Sequence, residues 1–292
     1  MTTARNQDVS VVILTRNSAR TLEGCLKSVL REEPREIIAV DAGSEDSTLN
    51  ILRSYKAHVL TDSTGSIAHQ RLLGVQAANG VYVMFVDSDV ELGLGCIGSL
   101  HRELEEQNWV GIHARIYSAE NLTYWQRSVD EEFANAPNWK VGPKRQIGTA
   151  AALFRRKVLL AYPFDTYLKE SHEDVDLSRR LVNDGWLIGV STSIAYHYHR
   201  RNFVAFVKQR FRGGVGRARL AAKYKENPLA VFSEPLLSAY SRMVRSMGTR
   251  KIRLIPYWTV FAWAGSIGIL VGFSRVRKSS CRHNESQSSN GY

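Results

Sequence analysis

Residues 81–92 read VYVMFVDSDVEL. The first six are an unbroken apolar run of β-branched and aromatic residues, and the run stops at two carboxylates, Asp87 and Asp89. Such a run without polar alternation is the pattern of a strand buried on both faces, as in a parallel sheet. The pattern recurs upstream. Residues 9–14 (VSVVIL) end at Thr15-Arg16-Asn17, and residues 36–40 (EIIAV) end at Asp41-Ala42-Gly43. Helical patterns separate these runs. Over residues 19–30, Leu22, Cys25, Leu26, Val29 and Leu30 fall on one face, with Asn17 or Ser18 placed as the cap. Shorter helices are expected over residues 47–55 and 67–78, the latter closed by Asn79-Gly80, and residues 58–60 form a third strand. The alternation predicts an α/β fold with a mixed, mainly parallel sheet flanked by helices. Ligands of such sheets bind beyond the carboxyl ends of the strands, where Thr15, Asn17, Asp41, Asp87 and Asp89 fall.

The 292 residues carry a net charge of +11, and 44% are hydrophobic, which excludes a disordered or collagenous chain. The charge is lopsided. Residues 1–200 hold 22 Lys+Arg and 25 Asp+Glu, whereas residues 201–292 hold 17 Lys+Arg and 3 Glu. A basic region of this kind suits nucleic acid, an anionic membrane or phosphate-bearing substrates. No zinc, RNA-recognition or helix-turn-helix pattern accompanies it, so nucleic acid is the weaker reading. Cys25, Cys96 and Cys281 make no disulfide framework and fit a reducing compartment. The first residues, MTTARNQD, lack the apolar core of a secretion signal.

Residues 254–273 contain no charge and are long enough, as a helix, to match a bilayer core of roughly 30 Å. Arg250, Lys251 and Arg253 precede them; Arg275, Arg277 and Lys278 follow. That arrangement predicts a helix that spans the membrane or lies in its surface. Gly268 and Gly272 form a GxxxG pair, a surface for helix packing that leaves a homodimer open. Residues 279–292 read as a disordered tail.

The strand-end acids suggest a chemistry. Asp87 and Asp89, one residue apart in an extended turn, can reach a hard divalent cation, which would in turn hold a diphosphate. The D-x-D pattern alone is weak, because Asp174-Val175-Asp176 matches it too; only the first pair directly follows a buried strand. Asp41 is placed either to accept from a nucleoside or to form an Asx turn beside Gly43. Arg71 is either a planar fork for a diphosphate or an ordinary solvent-facing helical Arg. No Gly-rich phosphate loop is present, so phosphate binding would rest on a cation and Arg. Glu173-Asp174 opens a helical pattern that Gly185 ends, and first-turn acids are favoured there by the helix dipole in any case. His197 and His199 share one face of a strand expected over residues 187–198; His199 reads as an ordinary strand-end residue near the surface. Trp109, Trp125 and Trp139 offer rings for stacking on sugar or for the core.

Taken in order, VVILTRN (11–17), VDAGSEDST (40–48), ANG (78–80), FVDSDVEL (85–92), GTAAALFRR (148–156), HEDVDLSRRL (172–181) and AYHYHR (195–200) resemble the inverting nucleotide-sugar glycosyltransferases of family 2, with the GT-A fold. The resemblance implies a GT-A domain over residues 1–220, with a nucleotide-sugar half at about 9–92 and an acceptor half at about 93–200. A basic helical region over 221–278 would follow. It implies Asp174 as the catalytic base, and Asp87, Asp89 and His197 around Mn²⁺ or Mg²⁺. Thr15, Asn17, Asp41, Arg71, Asp87, Glu173 and Arg180 are then the expected substrate-binding residues. The expected partners are a nucleoside-diphosphate sugar donor, a lipid-linked or glycan acceptor, and a membrane, with the catalytic domain facing the cytoplasm. The rival readings are a basic nucleic-acid-binding protein and an inactive membrane scaffold of the same fold.

Overall fold

The computed structural model describes residues 6–120, 122–134, 140–249 and 251–289. They form two compact units. The first runs to His199 apart from Glu170–His172, and the second comprises those three residues and the chain from Arg200 onward. The first unit thus ends about twenty residues before the expected boundary at 220, because the helix that follows packs on the C-terminal helix.

The first unit is built on one mixed sheet. Its strands are β1 (Val9–Thr15), β2 (Glu36–Asp41), β3 (His58–Thr61), β4 (Tyr82–Asp87), β5 (Val90–Leu92), β6 (Gly111–Ser118), β7 (Gly142–Lys144), β8 (Ala151–Arg155) and β9 (Ile188–His197). The order is β3-β2-β1-β4-β8-β6-β9-β5, with β7 also on β9. The first half, β3-β2-β1-β4, is parallel throughout. Here β1 is central, and Val9, Val11, Val12 and Ile13 are fully buried, as the unbroken apolar run requires. The second half mixes directions: β8 is antiparallel to β4 and β6, whereas β6 and β9 are parallel.

The helices are α1 (Ala19–Leu30), α2 (Thr48–Ser54), α3 (Ile67–Ala77), α4 (Cys96–Glu106), α5 (Tyr124–Ala134), α6 (Arg156–Ala161) and α7 (Glu173–Asn183). Two core clusters lie against the sheet. One gathers Leu22, Cys25, Leu26 and Val29 of α1 with Ile97, Leu100 and Leu104 of α4. The other gathers Ala68 and Val75 of α3 with Leu177 and Leu181 of α7. The cap of α1 differs from expectation. Ser18 holds the cap position without a side-chain cap bond, and Asp46 from the next loop accepts from Ala19 N–H at 3.1 Å. Gly185 ends α7 as expected, at φ +85°, a conformation that favours glycine.

Trp109 is 6% exposed and belongs to the core; Trp125 stacks edge-on against Tyr124, and Trp139 lies outside the described residues. Gly189 on β9 exists to admit Trp109, since an added methyl would lie 2.0 Å from its ring. Gly189→Ala is therefore expected to cost about 1–3 kcal/mol of stability. The readout is a lower urea midpoint at unchanged slope; an unshifted midpoint would mean that the ring moves aside freely.

The second unit contains α8 (Phe203–Lys223), α9 (Pro228–Gly248), a 3₁₀ turn (Ile252–Leu254) and α10 (Ile255–Ser289). The helix continues through much of the stretch read as a disordered tail, and residues 290–292 lie outside the described residues. The GxxxG pair is taken up within the chain. Gly268 faces the backbone of Phe211 and Gly214, and Gly272 faces Val215 and Ala218. A side chain larger than hydrogen at either glycine would strike α8, so this pair is not a free surface for a second copy.

Candidate active site

The carboxyl ends of β1, β2 and β4 carry the expected residues to one edge of the sheet. Register decides this, because Thr15 pairs with Asp41 and Leu14 with Asp87. The loops after β1 and β2 are stitched together. Thr15 Oγ1–H donates to Asp41 Oδ1 at 2.8 Å. Ser44 donates to Asp41 through its N–H (2.8 Å) and its hydroxyl (2.5 Å). Asn17, at φ 51°, receives Glu45 N–H on its Oδ1 at 2.8 Å. Asp41 is 1% exposed and Thr15 2%. Both oxygens of Asp41 are engaged, with Ser44 N–H three residues on rather than the two of an Asx turn, so Thr15 and Asp41 brace the two loops.

Arg71 is the hub of the site. It is 5% exposed, not solvent-facing. Its Nε donates to Glu173 Oε1 at 3.1 Å, its Nη2 lies 3.7 Å from Asp87 Oδ1, and the guanidinium sits over the Phe85 ring. Arg71 Nη1 and Glu173 Oε2 are buried without a hydrogen-bond partner. Orphaned buried groups of this kind are costly unless something else satisfies them, and here they stand at the edge where ligands bind.

The acids crowd one another. Burial pushes Glu173 up to about 7, opposed by Arg71 and reinforced by Asp174 and Asp87. Asp87 is raised by burial, then by Asp89 and Asp174, against the pull of Arg71 and His197. Asp174 is raised by burial, with Arg71 and the Val175 N–H pulling the other way. Asp174 sits in the first turn of α7, where Oδ1 accepts from Val175 N–H at 2.8 Å. Gly148 lies beside it: an added methyl there would stand 3.8 Å from Asp174 Oδ2, in ordinary van der Waals contact.

Asp89 and His197 meet across β5 and β9, with Oδ1 3.2 Å from Nε2. Two carboxylates and one imidazole are a donor set suited to Mn²⁺ or Mg²⁺. The excess of acids over Arg71 is the electrostatic environment that a divalent cation would neutralise. Among the described residues, however, no group of three His, Cys, Asp or Glu is already arranged as a ligand cage. The donors fit the ion only if their side chains turn toward it.

Arg180 is not brought to this cluster. It bonds Asp176 at 2.8 Å, one turn back on α7, and the Pro163 carbonyl at 2.8 Å. A planar fork paired to its own helix braces α7 and the loop before it. Three residues at the site gave no decisive signal in the sequence. Ser88 shares a 2.8 Å hydrogen bond with Ser18, tying the D-S-D turn to the first loop. His199 is 5% exposed, not at the surface, and its ring lies 4.5 Å from that of His197. His113 is buried near Gly148, and burial lowers it to about 4, so it is neutral. Each depends on long-range pairing, which local pattern does not encode.

Comparison with known proteins bears on the family and the fold. The family described as Glycosyl transferase family 2 matches residues 10–161. Glycosyltransferase AglE of Haloferax volcanii is 25% identical over 228 residues, 71% of this chain and 72% of that protein. Several other curated relatives are matched over less than half of their own length. The fold is also that of S. aureus TarS 1–349 (TM-score 0.53, 17% identity, 93% of this chain and 91% of that one). It is likewise that of GalNAc-T7 crystallised with UDP, GalNAc and Mn²⁺ (TM-score 0.54, 15% identity, 71% and 47%).

Proposed function

Because this chain belongs to glycosyl transferase family 2, we propose that it moves one sugar, with inversion, from a nucleoside-diphosphate sugar to a hydroxyl or phosphate acceptor. The observation that carries this reading is the convergence of Asp87 and Glu173 on buried Arg71, with Asp174 opening the same helix as Glu173. Asp174 takes the proton of the acceptor as it attacks. Arg71, with Nη1 unpartnered, is the donor left for a phosphate oxygen. Glu173 holds Arg71 through Oε1, and its unpartnered Oε2 suits a sugar hydroxyl. The braced loops carrying Thr15, Asn17 and Asp41 shape the nucleoside end. Asp87, Asp89 and His197 would hold Mn²⁺ or Mg²⁺; when bound, that ion supplies positive charge for the leaving diphosphate. GalNAc-T7, with UDP, GalNAc and Mn²⁺ bound, supports the donor class.

We further propose attachment to the cytoplasmic face of a membrane through the second unit, and a lipid-linked acceptor in surface-glycan assembly. The support is one helix, Ile252–Lys278, long and apolar enough to cross a bilayer by length and composition.

The test is a thermal-shift panel of nucleotide sugars with Mn²⁺. One donor at about 100 times its Kd should stabilise the native state by about 2.7 kcal/mol. A panel in which no nucleotide sugar and no free nucleoside diphosphate shifts the melting point would refute the donor class.

A further inference from the structure

We infer that the second unit lies flat in the surface of an anionic membrane, with one helical face in the acyl boundary, and that α10 does not cross the bilayer. This rests on the membrane reading above and decides its geometry.

Alone, residues 254–273 would span. They are not alone. Helix α8 runs beside them in the same direction. Phe206 stacks on Tyr257 with ring centroids 4.9 Å apart, and Arg210 donates to the Tyr257 hydroxyl at 3.1 Å and lies over Phe261. Farther along, Gly214 meets Gly265 and Ile269, and Ala218 meets Gly272. The whole apolar run is therefore accompanied by residues 206–218 of α8. That segment carries Lys208, Arg210, Arg212 and Arg217. Arg217 is in turn ion-paired with Glu226 and Glu234. From α9, Arg242 lies over the Trp258 ring. A spanning α10 would carry these charges to hydrocarbon depth, where each is strongly disfavoured. Breaking the packing instead would strip the glycine face of α10 of its partner.

An in-plane placement removes the conflict. The outer face of α10 exposes Trp263, Ile267 and Leu270, at i, i+4 and i+7, with Trp263 62% exposed. Beside it, α8 and α10 border an open apolar groove of about 500 Å³ lined by Val207, Phe211, Ala264 and Ile267, with Lys208 and Arg212 also on its wall. Apolar rows edged by bases, with a Trp among them, are the features of an interfacial element on anionic lipid. The charge complementarity is regional, because residues 201–292 hold 17 Lys+Arg and 3 Glu.

The experiment uses the full chain, expressed with an N-terminal tag, in sealed inverted membrane vesicles. Cys25 and Cys96 are buried, so a membrane-impermeant maleimide reports Cys281, which follows the apolar run. A flat unit leaves Cys281 on the side of the tag, labelled without detergent; labelling only after detergent would overturn the inference while leaving membrane attachment intact. Flotation of the purified chain with phosphatidylglycerol–phosphatidylcholine vesicles supplies the second arm. Binding should weaken with salt, and should fall about tenfold in Trp263→Glu and in Ile267→Gln. The melting-point shift by nucleotide sugar should stay the same in both variants. Undiminished vesicle binding in both would overturn the assigned face, and no vesicle binding by the unmodified chain would refute membrane attachment itself.

Discussion

Asp174→Asn is expected to lower sugar transfer by about 10²–10⁴-fold while the donor still raises the melting point as it does in the unmodified protein. The separation follows from what Asp174 touches. Arg71 is hydrogen-bonded to Glu173 and paired with Asp87, and neither contact runs through Asp174. Asp174 Oδ1 accepts from Val175 N–H, and Gly148 stands beside Oδ2. An asparagine keeps the shape and loses the proton acceptor. Burial raises Asp174 above the ordinary carboxylate range, which makes it a stronger base. The sign of the pH dependence follows. The ionised base is depleted as pH falls through a raised value, so transfer should decline at higher pH than an ordinary Asp, near 3.9, would dictate. Asp176→Asn is the control, because Asp176 is fully buried and bonded to Arg180; it should lower stability rather than the chemical step. Normal turnover in Asp174→Asn would remove that residue as the base.

The same acids show what a sequence discloses and where it stops. The apolar runs of β1, β2 and β4 are local facts, and they fix where Thr15, Asp41 and Asp87 lie because register in a parallel sheet follows from them. The helices at 19–30 and 173–183 were likewise legible from period and punctuation. Arg71 was legible only as one of two alternatives, a fork for a diphosphate or a solvent-facing helical Arg, and the meeting of α3 with α7, 102 residues apart, turns it inward. Arg180 shows the local counterpart, since an i−4 acid on its own helix pairs with it. The C-terminal apolar run left two placements open. Charge-free length suggests a membrane span, but the glycines that make the run look like a lipid-packing helix are spent on α8.

Asp89→Ala is expected to lower transfer by about 10²–10³-fold, the scale seen when one electrostatic stabiliser of developing charge is removed, and to abolish any response of the rate to added Mn²⁺ or Mg²⁺. Asp87, Asp89, Glu173 and Asp174 stand together, opposed on Asp87 chiefly by the Arg71 guanidinium. A diphosphate entering this edge brings further negative charge, and Arg71 alone, half committed to Glu173, does not offset it. Asp89 is 14% exposed in its side chain and reaches His197 at 3.2 Å, so its carboxylate is already held toward β9. Loss of that carboxylate removes this contact to His197 and leaves Asp87 as the only acid of the pair. The measurement is transfer rate against divalent-ion concentration for the unmodified chain, Asp89→Ala and His197→Ala, after chelation. His197→Ala keeps both acids and should retain a metal response at weaker apparent affinity. Full activity of the unmodified chain in excess chelator would end the metal reading, and a wild-type metal response in Asp89→Ala would move the ligand elsewhere. If both variants instead lose donor-induced stabilisation without any dependence on metal, Asp89 and His197 are a structural pair that holds β5 to β9.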